Sequence, residues 1–266
     1  YHDLEKWAGA AYLLSLVLST LVLFVGASIN GSRRWLSLGP LSFQPSEFAK
    51  PAVILFLART ISRREKKKKG MLELFRTLVL ILPIVGLVGT SNLSTAVIIL
   101  GIAVILVFVS SPFYLPFVGL FGAGAGFMGI FLGLESYRLE RIAIWRDPES
   151  YEKGFQTIQG LYAIGSGGLF GTGLGGSIQK LGFVPEAQND MIFSIICEEL
   201  GLVGAGILLL LFLMLIWRFF LVSVHAPDLL GSLIAAGVMG HISIQVILNV
   251  AVVTNTIPNT GITLPF

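Results

Sequence analysis

A carboxylate directly ahead of a long apolar run is placed for chemistry at a membrane surface. Asp190 stands there, in PEAQNDMIFSIICEELG (185–201), four residues after Glu186. Such a group suits a general base. It equally suits a cap for the positive end of the helix that follows. Glu47 and Lys50, in QPSEFAKPA (44–52), are three apart and share a helical face. They read as a structural ion pair, or as the polar wall of a substrate cavity with Gln44 beside them. Pro45 and Ser46 mark the helix start, with Ser46 near the N-cap, and Pro51 removes a backbone donor further in. Glu198 and Glu199 lie about two turns beyond Asp190 and need partners or protons in an apolar setting. His241, Gln245 and Asn249 repeat every fourth residue and form one polar stripe, for interhelical hydrogen bonding or cavity lining.

The elements that must hold these groups are apolar helices. Of 266 residues, 55% are hydrophobic and only 12% charged, against roughly 25% charged in soluble domains. Mean hydropathy is +0.85. A soluble enzyme, a disordered tail and a nucleic-acid-binding domain are excluded. The sequence predicts seven spans, at about 8–26, 48–58, 113–133, 191–220 and 229–254, with two more in 78–109 divided at TSNLST (90–95). The fold class is therefore an all-α, polytopic membrane bundle. It reads as one helical domain over 1–266, with a large extracytoplasmic loop at 134–190.

Orientation follows from the basic residues. Arg59, Arg63, Arg64, Lys66 to Lys69 and Arg76 share one short loop, which is placed in the cytoplasm beside anionic lipid. Alternation then puts 27–46, 134–190 and 255–266 outside. Cys197, the single cysteine, reads as a small buried hydrophobe. No spacing suggests a metal site. GTGLGG (171–176) matches a dinucleotide fingerprint in letters, but no strand is expected before it, so a re-entrant or surface turn is the better reading. Glycine pairs Gly122/Gly126 and Gly129/Gly133 suit close helix packing. The chain opens without Met and stops within an apolar phrase, and further segments are expected at both ends.

Five phrases together resemble the SEDS family (shape, elongation, division and sporulation), the RodA/FtsW/SpoVE group. They are GSRRWLSLGPLSFQPSEFAK (31–50), RIAIWRDPE (141–149), GFQTIQGLYAIGSGGLFGTGLG (154–175), KLGFVPEAQNDMIFSIICEELGLVG (180–204) and NTGITLPF (259–266). TNTIPNTG is more similar to the division and sporulation branch. The resemblance implies about ten helices in the full fold, with the seven spans here as the third to ninth. It implies peptidoglycan glycosyltransfer at the outer face of the bacterial cytoplasmic membrane. There a sugar hydroxyl attacks the anomeric carbon of lipid II or of a growing glycan strand, and undecaprenyl pyrophosphate leaves. It maps the family's essential aspartate onto Asp190, its ion pair onto Glu47 and Lys50, and its loop tryptophan onto Trp35. A class B penicillin-binding protein is the implied partner. The family often has Asp where this chain has Asn92.

The chemistry is compatible with that assignment. A hydroxyl nucleophile needs a base, which Asp190 supplies. Arg33, Arg34 and Lys50, or a divalent cation, can meet the charge that grows on the leaving phosphate, and no cofactor is obligatory. Gln44 and Glu186 complete the expected cavity. Two alternatives remain open: a flippase for lipid-linked precursors, and a non-catalytic division scaffold.

Overall fold

The computed structural model describes residues 1–29, 32–38, 41–64, 76–111, 117–119, 122 and 136–265. Most of the span expected at 113–133, with Gly126, Gly129 and Gly133, and the lysine run 66–69 lie outside them.

The chain is mostly α-helical. Four helices among the described residues are long and apolar enough to cross a membrane. They are α1 (His2–Val25), α4 (Leu93–Ser110), α7 (Ile192–Val224) and α8 (Leu229–Val253). Shorter or more polar helices are α2 (Pro45–Arg64), α3 (Leu82–Ser91), α5 (Ser136–Arg146) and α6 (Phe155–Gly167). One feature departs from the all-α expectation. The polar stretch after α1 forms an antiparallel meander of β1 (Ala27–Ile29), β2 (Ser32–Leu38) and β3 (Leu41–Phe43). Trp35 pairs with Ala27 across β1–β2, and Leu36 pairs with Phe43 across β2–β3. Short strands satisfy each other's backbone groups where no helix is available to do so.

The chain divides into two compact units. The first comprises Tyr1–Tyr114 with Ile216–Ile244. Its core is aliphatic, with Val53, Leu57, Ile84, Ile98, Ile102 and Leu233 all buried. Tyr12 stacks on Phe56 with ring centroids 4.3 Å apart and donates its hydroxyl to the Leu80 carbonyl at 2.5 Å. Glycines on α4 and α8 let the helices approach closely. A Cβ at Gly237 would meet Ile54, and one at Gly240 would meet Ile105.

The break expected at TSNLST is present, and Asn92 makes it. Its extended backbone ends α3, and its side-chain oxygen accepts from the Thr95 N–H at 3.2 Å to begin α4. Capping needs only an acceptor oxygen, which Asn and Asp both carry. The departure from the family's Asp therefore preserves this local role.

The second unit comprises Leu115–Leu215 with Gln245–Phe266. Here α7 is interrupted at Gly201, whose φ of 67° and ψ of −171° no helix contains. Left open, the break would strand carbonyls and amides in an apolar setting. A glycine-rich loop fills it. Thr172 and Gly173 donate backbone N–H groups to the carbonyls of Glu198 and Glu199, at 2.9 and 3.0 Å. Leu202 and Val203 in turn donate to the carbonyls of Gly168 and Leu169, at 2.9 and 3.1 Å. The Thr172 and Gly173 amides of the GTGLGG phrase are thus spent on α7, not offered to a nucleotide phosphate.

Candidate active site

The expected site residues fall into two sets, one in each unit. In the first unit, α2 begins at Pro45, with the Gln44 carbonyl accepting the Glu47 N–H at 3.0 Å. Gln44 is therefore the capping position. Ser46 lies inside the first turn and accepts from the Gln44 side chain at 3.0 Å. Pro at the first helical position fits because its missing N–H would be unpaired there anyway. Glu47 and Lys50 form the expected ion pair at 2.7 Å. The pair is lopsided: the Lys50 side chain is 3% exposed and the Glu47 side chain 51%.

From β2, Arg34 donates its Nε to the Ser91 carbonyl at 2.9 Å, so the guanidinium ties the meander to the α3–α4 break. Trp35 is half-buried on the same strand. Arg33 pairs with Ser28 in the β1–β2 register.

In the second unit, Asp190 is buried immediately before α7. It does not supply the first turn of that helix. Met191 does, its carbonyl accepting the Ser194 N–H at 3.0 Å. One carboxylate oxygen of Asp190 accepts a long hydrogen bond from the Gln156 amide of α6, at 3.4 Å. The other faces Gly261, where an added Cβ would lie 3.7 Å from Oδ2. Burial, and then the negative charge of Glu186, push the Asp190 carboxyl up to about 6, against hydrogen bonds from its own backbone and from Gln156. A buried carboxyl raised toward neutrality is suited to taking a proton. Glu186 is exposed, sits at a φ of 55° and accepts from the Asn189 amide at 2.5 Å.

Three supporting residues were not anticipated in these roles. Asn249, fully buried on α8, donates to the Asp190 carbonyl at 2.8 Å and to the Ile262 carbonyl at 2.7 Å. Trp145 of α5 donates to the Asn255 carbonyl at 2.9 Å, and Arg141 to that of Asn259 at 3.3 Å. These contacts seat the 255–264 phrase that brings Gly261 to Asp190. Gln245 adds a hydrogen bond to the Thr263 carbonyl at 3.0 Å. Two members of the polar stripe on α8 therefore bond between elements, as the stripe allowed.

Glu198 and Glu199 also acquire partners. Glu198 accepts from the Ser177 hydroxyl and, at 3.1 Å, from the Ile178 N–H. Glu199 pairs with Lys180 at 2.5 Å. Cys197 is a buried free thiol, as read from its apolar surroundings. No group of three or more metal-ligating side chains occurs among the described residues.

The FtsW/RodA/SpoVE pattern, described as that of a cell cycle protein, matches residues 1–266. The chain belongs to this family. Stage V sporulation protein E of Bacillus subtilis is 41% identical over 282 residues, covering 100% of this chain and 74% of its own. A protein of Geobacter named "probable peptidoglycan glycosyltransferase FtsW" is 34% identical, again over 100% of this chain and 74% of its own. A solved structure described under "structural coordination of polymerization and crosslinking by a peptidoglycan synthase complex" superposes with a TM-score of 0.82 at 33% identity. It covers 100% of this chain, which spans 75% of it. Similarity to both a sporulation protein and an FtsW agrees with the TNTIPNTG reading. As a family member with apolar spanning helices, the chain is a multi-pass bacterial membrane protein.

Proposed function

We propose that this FtsW/RodA/SpoVE chain is a peptidoglycan glycosyltransferase that lengthens glycan strands on lipid II, with Asp190 as its general base. The observation that carries the assignment of the base is the buried Asp190 carboxyl, raised to about 6, hydrogen-bonded by Gln156 and close to Gly261. The relatives supply the reaction class.

Asp190 takes the proton of the attacking sugar 4-hydroxyl as that oxygen bonds to the anomeric carbon. The bond from that carbon to the pyrophosphate breaks, and undecaprenyl pyrophosphate departs with the electron pair. The leaving group is already good, so no second carboxylate acid is required. Lys50, Arg33 and Arg34 are the cationic candidates for the growing phosphate charge, with Glu47 orienting Lys50. Trp35, Gln44 and Glu186 are proposed to contact substrate. A divalent cation is compatible with this scheme but not needed by it.

In this reading seven spans cross the membrane, 134–190 belongs to the outer side, and the chemistry faces outward. A class B penicillin-binding protein supplies the cross-linking activity. The decisive experiment gives purified full-length protein lipid II, with and without its partner, beside Asp190→Asn. A glycan ladder that disappears in the folded variant is the expected result. Ladders in both would retain the enzyme but dismiss Asp190 as base. No ladder under any condition would favour translocation or a scaffold.

A further inference from the structure

The loop that fills the α7 break carries unusually apolar, outward-pointing side chains. Phe170 is 80% exposed and Leu174 83%, with Leu169 and Ile178 also exposed. No Asp, Glu, Lys, Arg or His occurs from Gly154 to Gln179, a run of 26 residues between Lys153 and Lys180. A water-facing loop of that length normally carries charge. A segment in hydrocarbon avoids it.

Position along α7 points the same way. Gly201 is nine residues beyond Ile192, about 14 Å along the helix. Measured from the other side, Gly201 lies 17 residues before Arg218, about 25 Å, against a hydrocarbon thickness of about 30 Å. The two measures put the break about 5 to 14 Å below the outer edge of the hydrocarbon. Hydrogen bonds from Leu202 and Val203 to Gly168 and Leu169 hold the loop at that same level. Leu202 and Val203 are themselves exposed, and so are Ile207, Leu210 and Leu211 further along α7. Leu169 and Phe170 thus continue the apolar face that α7 turns to lipid.

Irregular backbone at membrane depth needs its polar groups paired within the protein. Four amides of this loop, those of Gly171, Thr172, Gly173 and Gly176, are paired in this way. Gly171 donates to the Gly167 carbonyl at 2.8 Å and Gly176 to that of Gly173 at 2.9 Å, besides the bonds to Glu198 and Glu199. The Glu198 and Glu199 side chains then clasp residues 177–180. Lys180 leads back toward water.

We infer that α6 and residues 168–176 form a re-entrant element whose tip, Leu169 to Leu174, is bedded in lipid acyl chains. The segment 134–190 is then only partly extracytoplasmic. The inference does not depend on the enzyme reading.

Single nitroxide labels in nanodiscs test it. Phe170→Cys and Leu174→Cys are placed in a Cys197→Ala background, with Leu210→Cys as the lipid reference and Lys153→Cys as the water reference. Collision with oxygen should exceed collision with a nickel chelate at 170 and 174, as at 210 and opposite to 153. Greater nickel access at 170 and 174 overturns the inference, as a surface loop. Shielding from both reagents also overturns it, because protein would then cover the tip. Hydroxyl-radical footprinting of the unsubstituted protein gives an independent reading. Phe170 should resist oxidation while Tyr151 is modified, and equal modification of the two would refute lipid burial.

Discussion

The amide of Asn249 holds the backbone of Asp190. It donates to the Asp190 carbonyl at 2.8 Å and to the Ile262 carbonyl at 2.7 Å, joining α8, the start of α7 and the 255–264 phrase at one fully buried point. Removing it leaves two buried carbonyls without donors, at about 1–3 kcal/mol each. Asn249→Ala should lower the melting temperature in detergent and reduce polymerisation more than the stability loss explains. Asn249→Asp should be worse, since a carboxylate would face two carbonyl oxygens. A wild-type rate in Asn249→Ala would separate this residue from the site.

The Asp190 carboxyl predicts a pH signature. Its ordinary value of 3.8 rises to about 6 on folding, so the folded state favours the protonated form. Its stabilising contribution is present below about pH 3.8 and is lost as pH rises through about 6. The ionised form then costs about 3 kcal/mol at neutral pH. Asp190→Asn should melt higher than wild type above pH 7 and lose that advantage toward pH 4. Activity runs the other way, rising through about pH 6 as the base ionises. Gln156→Ala should move the rate profile to higher pH, because it deletes a bond that lowers the carboxyl. Parallel melting profiles for wild type and Asp190→Asn would contradict the assignment.

The lopsided burial of Glu47 and Lys50 predicts unequal substitutions. Glu47→Gln leaves a buried ammonium without its partner, a loss of about 3–5 kcal/mol. Lys50→Met leaves only a half-exposed carboxylate, so its cost should stay below about 1 kcal/mol. Chemical denaturation of the two variants decides the matter. Equal destabilisation would mean that the pair is not held as described.

Two glycines on α7 should respond oppositely to alanine. At Gly201 a Cβ would strike the Leu169 carbonyl and the Gly171 amide, at a φ of 67°. Gly201→Ala should therefore destabilise by more than about 2 kcal/mol. Gly206 is helical, and its added Cβ meets nothing within 4 Å. Gly206→Ala should be neutral or stabilising by up to about 1 kcal/mol. Melting curves in the same nanodisc provide the comparison.

At Asn92 the capping role predicts that Asn92→Ser keeps the melting temperature within a few degrees. Asn92→Ala should lose about 1 kcal/mol. If both variants melt like wild type, the Thr95 hydrogen bond does not secure the α3–α4 break.

Local features were the legible ones. The i,i+3 spacing of Glu47 and Lys50, the polar interruption at TSNLST and the apolar runs of α7 and α8 depend on neighbours a few residues away. In sequence, the segment that carries the meander stands out only as an outer connection between two spans. The dipeptides Asn30-Gly31 and Gly39-Pro40 are of types that favour turns, a signal of short strands. Gln156 and Asn249 lie 34 and 59 residues from Asp190. Their partnership depends on the path of the chain, which no spacing rule encodes. The partners of Glu198 and Glu199 were hidden for the same reason, since Ser177, Ile178 and Lys180 lie about 20 residues upstream.

The interruption at Gly201 also bears on the order of assembly. Residues 168–180 leave the ribosome before the helix they dock against, so the filler is waiting when the gap arrives. The 23 residues Leu202–Val224 beyond the gap exceed the roughly 20 needed to enter the bilayer as a span on their own. Ile192–Leu200 is too short to do so and must be recruited by the waiting loop. Asp190 sits at the far end of that recruited piece. Its carbonyl is fixed later still, by Asn249, which follows it in the chain and arrives only after the span is already in the membrane.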